Sequence, residues 1–105
     1  MSFEKTIDID ELEDGIPRAV VLADGAQVCL VRAGRTVYAL VDRCSHAEFP
    51  LSEGDVVDDC VIECPLHGAQ FDLRDGRALE PPADEPLLLY DVRIDQGTVW
   101  VRPPS

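Results

Sequence analysis

Basic residues are scarce in this chain of 105 residues: 9 lysines and arginines stand against 21 acidic residues, a formal net charge of −12. Such a surface repels phosphates and anionic headgroups, which argues against nucleic acid and against membrane surfaces as partners. It favours solubility and steering toward a basic protein partner. Long apolar runs are also missing. Stretches such as Pro86 to Tyr90 are far too short to cross a bilayer. The first residues, Met1 to Thr6, show no basic region followed by an apolar stretch. No secretory signal is therefore read, and a cytoplasmic location is expected. In that setting the four cysteines would stay reduced, so a disulfide framework is the weaker reading. Core filler or metal ligand are the roles left to them.

What is present is a globular composition, 46% hydrophobic and 29% charged, in a chain long enough for one modest core. We expect a single domain over residues 1–105. Strand signals dominate. Phe3 to Ile9 alternates apolar and polar residues apart from Lys5, which reads as an edge strand. Asp10 to Gly15 reads as a short helical turn, with Asp10 as its cap and glycine as its stop. Pro17–Leu22, Gln27–Ala33 and Thr36–Val41 are rich in Val, Leu and Tyr and are separated by turn residues, so they predict an antiparallel meander. Further hairpins are expected across Asp58-Asp59, Asp75-Gly76 and Gln96-Gly97. The proline-rich stretch Pro81 to Pro86 fits neither helix nor interior strand. The expected class is all-β: a small antiparallel β-sandwich or barrel from which two loops project.

Those two loops hold the chemistry. Cys44-Ser45-His46 and Cys64-Pro65-Leu66-His67-Gly68 each set a thiol beside an imidazole, and seventeen residues, Ala47 to Glu63, lie between the pairs. No other histidine exists in the chain. Four such donors suit a closed tetrahedral zinc site, and a zinc-stabilised binding module without redox function is the alternative from outside the electron-transfer class. The order is wrong for the common finger, which groups its cysteines in one half and its histidines in the other, with a helix following. A dinuclear iron–sulfur cluster accounts better for the mixture, because one iron can take both thiolates and the other both imidazoles.

Cys-x-His, seventeen residues, then Cys-Pro-x-His-Gly resembles the Rieske [2Fe–2S] signature. Leu51-Ser52-Glu53-Gly54, Phe71-Asp72, Asp75-Gly76 and Pro81-Pro82 sit where soluble Rieske-type ferredoxins carry comparable features, so the resemblance covers nearly the whole chain. It implies the fold of Rieske iron–sulfur proteins, with two cluster-binding loops and one [2Fe–2S] cluster. Cys44 and Cys64 would bind the buried iron; His46 and His67 would bind the outer iron through Nδ1 and leave their far edges as the electron exit. Pro81-Pro82 resembles the proline loop that packs over the cluster. Cys29, inside the Gln27–Ala33 strand, and Cys60, opening a strand beside Val61 and Ile62, read as small core residues. Trp100 reads as packing on the last strand, and the acidic runs Asp8–Asp14, Asp55–Asp59 and Asp84-Glu85 as solvated turns.

Two departures narrow the class. High-potential Rieske proteins carry an extra, disulfide-linked cysteine in each loop and hydroxyls beside the cluster; this chain has neither, and Ala69 and Phe71 stand at the hydroxyl positions. The resemblance therefore implies a low potential, near the lower Rieske limit of about −150 mV. With both histidines committed to the cluster, no mononuclear iron site on two histidines and a carboxylate can be built. The chain is expected to be an electron carrier, not an enzyme. The resemblance implies a shuttle from an NAD(P)H-dependent flavin reductase to a terminal Rieske non-heme iron oxygenase of the aromatic-ring dioxygenase type. A monomer with transient partners is expected. Service to nitrite reductase or to iron–sulfur assembly shares the same motif.

Overall fold

The computed structural model describes residues 2–43, 49–58, 60–65, 68–80 and 85–103. Two antiparallel sheets carry the described chain. The larger has six strands in the order β1 (Glu4–Asp8), β10 (Thr98–Arg102), β9 (Leu89–Asp95), β4 (Thr36–Val41), β3 (Gln27–Ala33) and β2 (Arg18–Val21). The smaller has four strands in sequence order: β5 (Asp55–Asp58), β6 (Val61–Glu63), β7 (Gln70–Asp72) and β8 (Ala78–Glu80). The all-β expectation holds, and β3, β4 and β10 have the bounds the residue pattern gives.

Alternation explains the large sheet. Val28, Leu30, Val37, Ala39, Val99 and Val101 point to one face, where Leu12 and Leu22 close a core with them. The sheet curls so that its two edges approach: the Glu4 carboxylate accepts the Ala23 N–H at 2.7 Å, linking β1 to the end of β2. Arg32 ties the intervening chain down by donating to the carbonyls of Gly34, Ile9 and Leu12.

The opposite face of β3 and β4 is apolar as well. Cys29, Val31 and Leu40 are fully buried there, against Leu51, Ile62, Cys64, Ala69, Phe71 and Leu73 of the smaller sheet and its loops. Burying both faces of β3 explains its nearly unbroken apolar run.

Several local expectations need correction. Lys5 is no flaw in an otherwise regular strand. A bulge between Lys5 and Asp8 lets Lys5 face solvent opposite Trp100 while Ile7 still reaches the core. The helical turn is a 3₁₀ turn over Ile9–Glu11 capped at Asp8, whose N–H donates to Glu11 Oε2 at 3.1 Å; Asp10 is not the cap. Cys60 is not a core filler. It is partly exposed, and its Sγ lies 3.7 Å from the Tyr38 hydroxyl, a contact that pushes the Tyr38 pKa up. Trp100 packs on the last strand, on the outer face of the large sheet: its strand neighbours Val99 and Val101 take the inward positions, and no partner satisfies its buried Nε1 among the described residues.

Candidate metal centre

Of the four expected ligands, Cys64 lies within the described residues; Cys44, His46 and His67 lie outside them, as does Pro81-Pro82. The anchors on either side of each loop are described, and they locate the loops.

The second loop grows out of a hairpin. Glu63 pairs with Gln70 in the β6–β7 ladder, and the Cys64 N–H extends that ladder by donating to the Ala69 carbonyl at 2.7 Å. Only residues 65–68 remain to turn the chain. Pro65 supplies a fixed φ, and Gly68 adopts φ +73°, a left-handed conformation that an L side chain would resist. In the sequence His67 thus falls between two fixed points, a fully buried Cys64 and the left-handed Gly68.

The first loop leaves β4 at Asp42 and returns through a 3₁₀ turn, Leu51–Glu53. Leu51 is fully buried in the same apolar cluster as Cys64, Ala69 and Phe71. Gly54, which ends that turn, presses on the Glu63 carbonyl so closely that a Cβ at Gly54 would collide with it. The exit of the first loop therefore touches the residue before Cys64. Two thiol–imidazole segments separated by seventeen residues in the sequence spring from one patch of structure.

The span of the first loop is set by Asp42. This carboxylate is buried, 5% exposed, and accepts the Ser52 N–H at one oxygen and the Ser52 hydroxyl at the other, each at 2.7 Å. Sequence reasoning missed its role. Ser52 was visible only as part of the Leu-Ser-Glu-Gly segment, and nothing local pairs it with a residue ten positions earlier.

The surroundings suit a cluster seated between thiolates and imidazoles. Cys64 stands in an apolar environment, the donors available are two thiols and two imidazoles, and both loops are braced from below. Ala69 and Phe71 are fully buried next to Cys64, so neither offers it a hydroxyl. Cys29 stands apart from this chemistry: it is completely buried in β3, and burial, reinforced by the Asp42 charge, pushes its thiol pKa far up. A thiol so reluctant to ionise is a poor ligand and fits the core role assigned to it.

A second support lies under the β7–β8 hairpin. Asp72, 3% exposed, accepts from Arg74 through both carboxylate oxygens and from the Arg74 backbone N–H. These bonds hold its carboxyl down at about 2 and raise the Arg74 guanidinium. At the turn itself, Gly76 (φ +79°) accepts the Leu87 N–H at 2.8 Å while its Cα abuts the Leu87 carbonyl. That contact pins the chain where it returns from the proline segment.

Comparison with known proteins agrees with this geometry. The family model described as Rieske [2Fe–2S] domain matches residues 3–94. The 3-phenylpropionate/cinnamic acid dioxygenase ferredoxin subunit of Escherichia coli K12 is 43% identical over 78 residues, 74% of either chain. The ferredoxin of carbazole 1,9a-dioxygenase from Nocardioides aromaticivorans IC177 superimposes with a TM-score of 0.92 at 37% identity, over 99% of this chain and 100% of that one. A ferredoxin solved in complex with the reduced oxygenase of carbazole 1,9a-dioxygenase gives a TM-score of 0.90 at 31% identity, covering 98% of this chain and 96% of the other. The zinc-module alternative falls with these matches. Fold, loop placement and kinship together make this chain a member of the Rieske [2Fe–2S] domain family, an electron-carrying ferredoxin with one [2Fe–2S] cluster and not an enzyme in its own right.

Proposed function

We propose that this protein, as one Rieske domain, carries single electrons from an NAD(P)H-dependent flavin reductase to a terminal Rieske oxygenase of the aromatic-ring dioxygenase type. It would do so as a cytoplasmic monomer that meets each partner transiently. Cys44, His46, Cys64 and His67 are the proposed ligands. The observation that carries this assignment is that buried Cys64 opens the second loop right after Glu63, whose carbonyl Gly54 touches at the exit of the other Cys/His loop. When bound, the cluster takes up and releases one electron.

The chain's own residues do the rest. Leu51, Ala69 and Phe71 exclude water around Cys64, which keeps the local dielectric low. The absence of a hydroxyl at Ala69 and Phe71 supports a potential low in the Rieske range, since hydrogen bonds to the sulfurs would stabilise the reduced, more negative state. The acidic surface, −12 overall, supplies attraction toward a basic partner. Kinship with dioxygenase ferredoxin subunits favours the oxygenase role over service to nitrite reductase or to iron–sulfur assembly.

The test is reconstitution. The purified protein should couple NADH oxidation by a flavin ferredoxin reductase to product formation by the E. coli 3-phenylpropionate dioxygenase terminal component. The rate should fall as ionic strength rises, because the attraction is screened. Reduction of the cluster by the reductase without onward transfer to any dioxygenase terminal component would contradict the oxygenase assignment.

A further inference from the structure

We propose that Asp42 is the positioning residue of the first ligand loop and a negative charge that helps keep the cluster potential low. The inference rests on the ligand assignment of Cys44 and His46 given above. Its basis is the clasp on Ser52. The 3₁₀ turn Leu51–Glu53 begins after Pro50, which has no side-chain acceptor to offer the turn's free N–H groups, and no side chain caps it locally. Asp42 supplies the missing cap from across the loop. One carboxylate oxygen takes the Ser52 N–H and the other takes the Ser52 hydroxyl, both at 2.7 Å. The Asp42 N–H is itself anchored to the Gln27 carbonyl at 3.1 Å, on the rigid large sheet.

The consequence is mechanical. A single side chain joins residues 42 and 52, and in the sequence Cys44 and His46 lie between them. Leu51 and Gly54, on either side of the clasped Ser52, are the residues that touch the Cys64 side of the site. Asp42 therefore fixes where the first loop leaves the large sheet and where it returns.

The consequence is also electrostatic. Asp42 precedes Cys44 by two residues, so their Cα atoms are within about 7 Å of each other along the chain. The carboxylate is 5% exposed, so water screens its charge poorly. Its influence already reaches Cys29, whose thiolate it disfavours. The same charge opposes adding an electron nearby.

Asp42→Asn removes the charge and keeps the size, whereas Ser52→Ala keeps the charge and removes one bond of the clasp. In Asp42→Asn we expect the midpoint potential to rise and the cluster to be lost to a chelator roughly tenfold faster, the scale on which support of a metal ligand acts. Ser52→Ala should speed cluster loss while moving the potential less, and Ser52→Thr should restore the wild-type rate. The double variant should lose its cluster no faster than Asp42→Asn alone, because both changes break one clasp. The reduced EPR spectrum of each variant, read beside the potential, separates a shifted cluster from a merely less stable fold. If Asp42→Asn does not assemble a cluster, the Ser52→Ala and Ser52→Thr pair decides by itself. Wild-type potential and wild-type loss rate in Asp42→Asn, or no change in loss rate in Ser52→Ala, would overturn the proposal. Failure of the ligand assignment would show differently, as a cluster that survives replacement of Cys44.

Discussion

The two sheets bury apolar residues by different means. In the large sheet, strands of four to seven residues alternate in a regular register, and most of its core side chains belong to the strands themselves. In the small sheet, three strands have only three residues and one has four. Its core is shared: Ile62 and Phe71 of its strands and the residues of its loops pack on Cys29, Val31 and Leu40 from the outer face of β3 and β4. A sheet this short gains too little from its own pairs to stand alone. It is held instead by single contacts, Gly54 on Glu63, Gly76 on Leu87, Asp42 on Ser52 and Asp72 on Arg74. The large sheet is a distributed structure and the small one a set of clasps, so the damage from one substitution should depend on which sheet it strikes.

The strongest way to expose this contrast is to take the cluster away. His67→Ala should lose the cluster, and amide exchange should then rise sharply in β5–β8 while β3, β4 and β10 keep their protection. Equal loosening of both sheets would show that the large sheet also depends on the metal. Next in size come the glycines. Gly25→Ala meets only the left-handed backbone penalty, since nothing crowds it, and should cost about 1–2 kcal/mol. Gly76→Ala adds a collision with the Leu87 backbone and should cost more than that, roughly 2–4 kcal/mol in urea denaturation.

Asp72→Asn sharpens the comparison through pH. The Asp72 carboxyl is depressed from 3.8 to about 2 in the folded chain. Its contribution is thus complete above the unfolded value and fades as pH falls from about 4 toward 2. The variant should be about 1–3 kcal/mol less stable at neutral pH and should lose less on acidification across that window. A wild type and variant that denature in parallel through it would refute the role of Asp72. The smallest effect belongs to Cys29→Ala, which should cost roughly 1 kcal/mol and leave the cluster intact.

The same division decides what could be read from the residues alone. Alternation and turn chemistry reveal β3, β4 and β10 to the residue, because each position repeats the same evidence. The Lys5 bulge escapes, since an inserted residue looks like a lapse in the pattern until the partner strand is known. The ligand motif is legible because cysteine and histidine are few and paired. Its supports are not: the Asp42–Ser52 clasp and the Gly76–Leu87 contact join residues ten and eleven positions apart through geometry that no local pattern encodes. Cys60 escapes for a related reason. Its apolar neighbours Val61 and Ile62 suggested the core, yet it lies at the hairpin end, where the strand has only begun.

The central claim is that two thiol–imidazole loops share one cluster, and the presence of only two histidines makes it directly testable. Protein grown with ¹⁵N-histidine, reduced and studied by pulsed EPR, should show two strongly coupled histidine nitrogens, beside two irons and two acid-labile sulfides per chain. Either coupling should vanish or change when His46 or His67 is replaced. A reduced cluster with no histidine coupling, or a colourless protein holding one zinc and no sulfide, would contradict the account.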